Sequence, residues 1–153
     1  MPHPCQLSEL AADLPAGSLA LAAGDFNINC NEAGGDAFTR LLLRGNWYAS
    51  PLLRHSCTAP GSSKFVDRLL HNWNTWFFLD MIIVSPELSV TRPSSKNWFA
   101  DLGSFGTLVV HPEQVQVDER NEGYVEPRRF DPETGRGVSD HWPVGIWLMK
   151  RRN

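Results

Sequence analysis

Three short stretches of the chain hold side chains suited to moving protons and holding charge. Near the C-terminus runs Gly137-Val138-Ser139-Asp140-His141-Trp142-Pro143-Val144, which sets a carboxylate and an imidazole side by side in front of a stiffening Trp-Pro. Far upstream runs Gly24-Asp25-Phe26-Asn27, a second carboxylate with a neutral amide donor. Between them lies Phe77-Phe78-Leu79-Asp80-Met81-Ile82-Ile83-Val84, an apolar run broken by one carboxylate. A lone carboxylate in such a run is costly to bury unless it is paired. A histidine suits it, because the carboxylate fixes the ring's tautomer and stabilises the imidazolium. These residue types fit phosphoester cleavage. That reaction needs a hard cation held by carboxylates, a base to prepare water, and a donor aimed at the charge that builds on the phosphoryl group.

Each stretch also has a plainer reading. Asp25-Phe26-Asn27 fits a strand-to-loop turn. Asp80 fits a strand-edge carboxylate that reaches water, and Ser139-Asp140-His141 fits a helix cap or turn. His3, His55, His71 and His111 belong to no motif and read as structural or surface residues. Trp73 and Trp76 read first as core or rim packing, with stacking on a substrate ring as the alternative. Arg128, Arg129 and Arg136 form either a phosphate-contacting loop or a solvated one.

The elements that must position these residues can be read from periodicity and breakers. Leu7, Leu10, Ala11 and Leu14 predict a short amphipathic helix ended by Pro15 and Gly17. Residues 18–23 predict a small apolar strand that delivers Asp25 to its C-terminal end. Asp36 reads as an N-cap for a helix with Phe38, Leu41 and Leu42 on one face and Gly45 as its stop. Residues 54–64 are polar and turn-rich. Residues 76–84 predict one central strand covered on both faces and closed by Ser85-Pro86. Residues 91–106 give no clear pattern. Residues 108–110 and 115–117 predict short strands around His111-Pro112, and 118–137 a long polar loop. Residues 144–149 predict the last strand, followed by a solvated Lys150-Arg151-Arg152 tail.

The 153 residues suffice for one domain with a real core, and 42% hydrophobic with 20% charged residues is globular composition. A formal net charge of -3 argues against holding duplex DNA by bulk electrostatics, though a local patch could serve. Cys5, Cys30 and Cys57 give neither a disulfide framework nor zinc spacing. The segment Met1-Pro2-His3-Pro4-Cys5 does not begin a signal peptide. No apolar run approaches the ~20 residues that span a bilayer. The sequence therefore predicts a soluble chain and names no compartment.

Gly24-Asp25-Phe26-Asn27, Leu79-Asp80-Met81-Ile82-Ile83-Val84-Ser85 and Ser139-Asp140-His141-Trp142-Pro143-Val144, in this order and spacing, resemble the endonuclease/exonuclease/phosphatase superfamily, the deoxyribonuclease I-like fold. The likeness runs from about Leu19 to Trp147. It implies an α/β fold, the C-terminal half of a four-layer α/β/β/α sandwich of mixed or antiparallel sheets with flanking helices. It also implies divalent-metal-dependent hydrolysis of a phosphoester by in-line attack of water, with Mg²⁺ or Mn²⁺ as cofactor. The substrate would be nucleic acid or a small-molecule or lipid phosphoester. In that resemblance His141 is the general base or the partner of the phosphate, and Asp80 orients it. Asp140 binds or positions the metal, Asp25 positions the nucleophile or contacts a metal, and Asn27 donates to a phosphate oxygen. Two features depart from the pattern. Phe77-Phe78-Leu79 stands where many members carry an Arg or a polar residue. The family's first half, with its metal-binding Glu, has no counterpart before Leu19. Residues 1–153 are thus expected to form the C-terminal part of one such domain. That part would be either an inactive fragment or half of a split enzyme working with its missing N-terminal half, and one apolar sheet face would lie uncovered.

Overall fold

The computed structural model describes residues 9, 12–27, 47–49, 61–67, 72–89, 98–117 and 125–151. The expected helix at Asp36, the three cysteines, His3, His55, His71, the apolar positions Leu7, Leu10 and Ala11 and the Trp73 side chain lie outside what is described. Among the described residues strand is the main regular structure. Helix is confined to Glu9 and Ala12, with Asp13 N–H donating to the Glu9 carbonyl, and to the single 3-10 turns Pro86–Leu88 and Pro112–Gln114. The flanking helices of a layered sandwich are not among these residues.

Among the described residues nine strands form four antiparallel sheets. They are β1 (Leu21–Asp25), β2 (Tyr48–Ala49), β3 (Ser63–Asp67), β4 (Asn72–Phe77), β5 (Asp80–Val84), β6 (Trp98–Thr107), β7 (Val115–Val117), β8 (Val125–Pro127) and β9 (Val144–Lys150). β5 lies between β1 and β2, β3 pairs with β4, β6 with β9, and β7 with β8. After Asp80, β5 reads Met81-Ile82-Ile83-Val84, all buried, as a central strand covered on both faces should be. Its register with β1 runs from Leu21 opposite Val84 to Asp25 opposite Asp80. The core sits between this sheet and the β6–β9 pair. Phe78, Met81, Ile82 and Ile83 pack with Trp47 and with Phe105 of β6, and Val144 and Ile146 of β9 lie against them. The Phe78 and Phe105 rings meet at 5.3 Å with a 59° tilt.

Several expected elements fall differently. Residues 76–84 are two strands, because the chain leaves β4 after Phe77 and enters β5 at Asp80. Phe78 and Leu79 turn the corner with both side chains inside. The β1 strand begins at Leu21 rather than at residue 18 and ends on Asp25. Residues 108–110 are not a strand, since a side chain has captured their backbone. Gln114 Oε1 accepts from the N–H groups of Val110 and His111, and its Nε2 donates to the Leu108 carbonyl. The stretch that gave no pattern contains the start of β6, the longest strand, whose register shifts between Asp101 and Gly106. The loop expected at 118–137 includes β8 and a turn closed by an Asp131–Arg136 bridge.

Candidate active site

Asp80 owes its place to the corner before it. Ser62, fully buried, donates its hydroxyl to the Phe77 carbonyl (3.4 Å) and accepts from Asp80 N–H (3.2 Å). Phe26 N–H donates to the Leu79 carbonyl at 2.8 Å, so β1 clasps the other side of the corner. Gly61 allows the close approach, since a Cβ there would run into the Phe77 backbone.

His141 reaches Asp80 because its own segment lies across Ser62 and Ser63. His141 forms an antiparallel bridge with Ser63, and Trp142 N–H donates to the Ser62 carbonyl at 2.7 Å. Trp142 anchors the segment. Its ring stacks on Trp76 at 4.9 Å, and its indole N–H donates to the Gln114 carbonyl at 2.9 Å. The result is a contact of 2.7 Å between His141 Nδ1 and Asp80 Oδ2, with both side chains about a quarter or less exposed. An ionised carboxylate only accepts, so Nδ1 carries the proton and the neutral ring keeps its lone pair on Nε2.

Asp25 lies directly opposite Asp80 in the antiparallel register, and such partners project to the same sheet face. Its carboxylate accepts from Asn27 twice, from the backbone N–H (2.9 Å) and from Nδ2 (3.2 Å). Asn27 holds φ +49°, a left-handed conformation that asparagine tolerates. Asp140 is exposed, and its carboxylate pairs with Arg129 at 3.4 Å. Asp80 is therefore the shared member of the group: it faces Asp25 in register and holds His141 by hydrogen bond. Asp140 is next to His141 in the chain, with its charge turned to the arginine.

Four supporting residues carried no recognisable signal in the sequence. Ser62 is one serine in a polar run. Gln114 braces both the 108–111 backbone and Trp142. Glu113 accepts from Gly137 N–H at 3.1 Å and pairs with Arg128 (3.4 Å) and Arg136 (3.3 Å). These contacts hold its carboxyl below the ordinary 4.5, the Gly137 N–H contributing most, against desolvation and aided by the arginines. Lys64, nearly buried, pairs with Glu126 and lies over the Trp76 ring. Among the described residues no three metal-binding side chains cluster, and no helix is long and apolar enough to cross a membrane.

No family model matches the chain, and no curated protein matches it. Among solved structures, it is similar to the crystal structure of an endonuclease/exonuclease/phosphatase family protein from Bacteroides thetaiotaomicron, at 22% identity and a TM-score of 0.46. The match covers 94% of this chain, and the chain spans 41% of that protein's length.

Proposed function

We propose that this chain carries the histidine–carboxylate portion of a phosphoester hydrolase site. The observation that carries the reading is the 2.7 Å His141–Asp80 contact beside a second carboxylate, Asp25, set opposite Asp80. In this reading Asp80 keeps the His141 proton on Nδ1, and Nε2 accepts a proton from the attacking water. Asp25 steers that water. On substrate binding Asn27 exchanges its amide contact with Asp25 for a phosphoryl oxygen. Exposed Asp25 and Asp140 are hard oxygen donors of the type that Mg²⁺ or Mn²⁺ takes. These two carboxylates are the residues that would hold such an ion. Bound there, it would neutralise charge on the phosphoryl group. The net charge of -3 favours a small-molecule or lipid phosphodiester over duplex DNA.

The test is hydrolysis of bis(p-nitrophenyl) phosphate by the purified chain with Mg²⁺ or Mn²⁺, beside His141→Ala. Metal-dependent turnover that vanishes in the variant supports the reading. Turnover equal in the two proteins sinks it. A second reading is favoured by the exposed apolar side chains Trp147 and Met149, alternate residues of β9 that share one face: the chain works with a second polypeptide that covers this face and completes the site. A rate that climbs faster than linearly with protein concentration supports self-association as that route, and strict proportionality argues against it.

A further inference from the structure

We infer that Glu113 is a positioning residue for His141, acting through the loop that carries the histidine. Glu113 gathers three groups of the segment between β8 and His141 on one carboxylate. Oε2 accepts from Gly137 N–H and lies 3.4 Å from Arg128 Nη1, while Oε1 lies 3.3 Å from Arg136 Nη2. The neighbouring carbonyl of Gln114 takes the backbone N–H of Arg128 (3.0 Å) and the indole N–H of Trp142 (2.9 Å). Both ends of the segment 128–142 are thus tied to one short turn, Pro112–Gln114.

From the clamp to the histidine the chain is short and bonded at each step. Val138 and Ser139 N–H groups donate to the Arg128 carbonyl, and Ser139 Oγ accepts from His141 N–H at 3.1 Å. Gly137, at φ +83°, makes the turn against the Arg129 carbonyl, where a Cβ would collide. Glu113 is only about a third exposed, so its charge-assisted contacts are stronger than fully solvated ones. Asp80 sets the ring's tautomer, and Glu113 sets where the backbone presents the ring. This inference leans on the hydrolase reading only for its kinetic consequence.

The experiment follows the His141 Nδ1 proton by NMR in the 153-residue chain, with Asp80→Asn as the reference for a broken pair. In Glu113→Ala this resonance should broaden, and its exchange with water should quicken about tenfold, the order expected when a charge-assisted contact that restrains a loop is removed. Glu113→Gln keeps an oxygen for Gly137 N–H and loses the charge, so it should show a smaller change in the same direction. If Glu113→Ala does not fold, Glu113→Gln decides. Ala100→Gly, at a fully buried position near the start of β6, controls for general loss of stability and should leave the resonance unmoved. An unchanged resonance in the Glu113 variants overturns the inference, and so does an equal change in Ala100→Gly. If the wild type hydrolyses the diester, kcat should fall in Glu113→Ala with KM nearly unchanged. If it does not, the hydrolase reading fails while the resonance still decides the role of Glu113.

Discussion

An imidazole is a useful base only when something fixes which nitrogen holds the proton, and in the proposed hydrolase reading that is Asp80. Its Oδ2 takes Nδ1–H at 2.7 Å, so the lone pair on Nε2 is set by geometry. Asp80→Asn keeps the shape of the side chain but can turn an amide N–H toward Nδ1. The ring then adopts the other tautomer, with its proton on the working nitrogen. Hydrolysis should fall by about 10²–10⁴-fold in kcat with little change in stability, checked by diester kinetics beside a thermal melt. A fall confined to KM would contradict this role. That the lone carboxylate in an apolar run wants a histidine was legible in the residues, and the family resemblance named His141 as that histidine. The device that holds Asp80 in place was not legible. Ser62 lies eighteen residues upstream of the N–H it accepts from, and nothing about an isolated serine announces a buried hydroxyl bonded to both sides of a corner.

The elements show the same division between what local pattern encodes and what distant hydrogen bonds decide. β5 follows from its apolar run, and β9 from its own. The break after Phe77 does not, because it depends on bonds from Ser62 and Phe26 that periodicity cannot register. Residues 108–110 look like a strand and are not one, since the Gln114 side chain supplies the partners that a neighbouring strand would have given. The segment 128–142 holds two left-handed glycines, Gly135 and Gly137, and the second is the more crowded. Gly137→Ala would strain a φ of +83° and drive a methyl group into the Arg129 carbonyl. A loss of about 1–3 kcal/mol is expected in urea denaturation, together with weakened His141 function. The clamp on this loop also has a pH signature. Glu113's carboxyl is held below its ordinary 4.5, so its contribution is fully present above that value and is lost as pH falls through the lower folded value. Asp131, in the same loop, is lowered as well by Thr134 and Glu133, so wild-type stability alone would mix the two. The stability difference between wild type and Glu113→Gln isolates Glu113. It should stay constant through neutral pH and shrink only below 4.5. A difference that grew on acidification would contradict the clamp.

At the scale of the whole molecule, the site and the core meet at one side chain. Phe78 sits in the corner between β4 and β5, two residues before Asp80, and its ring packs on Phe105 of β6. The corner is thereby pinned on one side by the aromatic pair and on the other by the buried Ser62. Truncating either ring should cost about 3–5 kcal/mol, the usual loss for a buried phenylalanine, because each removes similar apolar volume from the same cluster. The two variants should differ in function. Phe105 belongs to β6, and its loss leaves the Ser62 and Phe26 bonds around Asp80 in place. The loss of Phe78 lets the corner itself relax, and the Asp80 carboxylate with it. Measured well below each protein's melting transition, Phe105→Ala should retain most of the proposed His141-dependent hydrolysis, and Phe78→Ala should lose most of it. Equal activity in the two folded variants would mean that Ser62 and β1 hold Asp80 without help from the core. The aromatic pair would then serve stability alone.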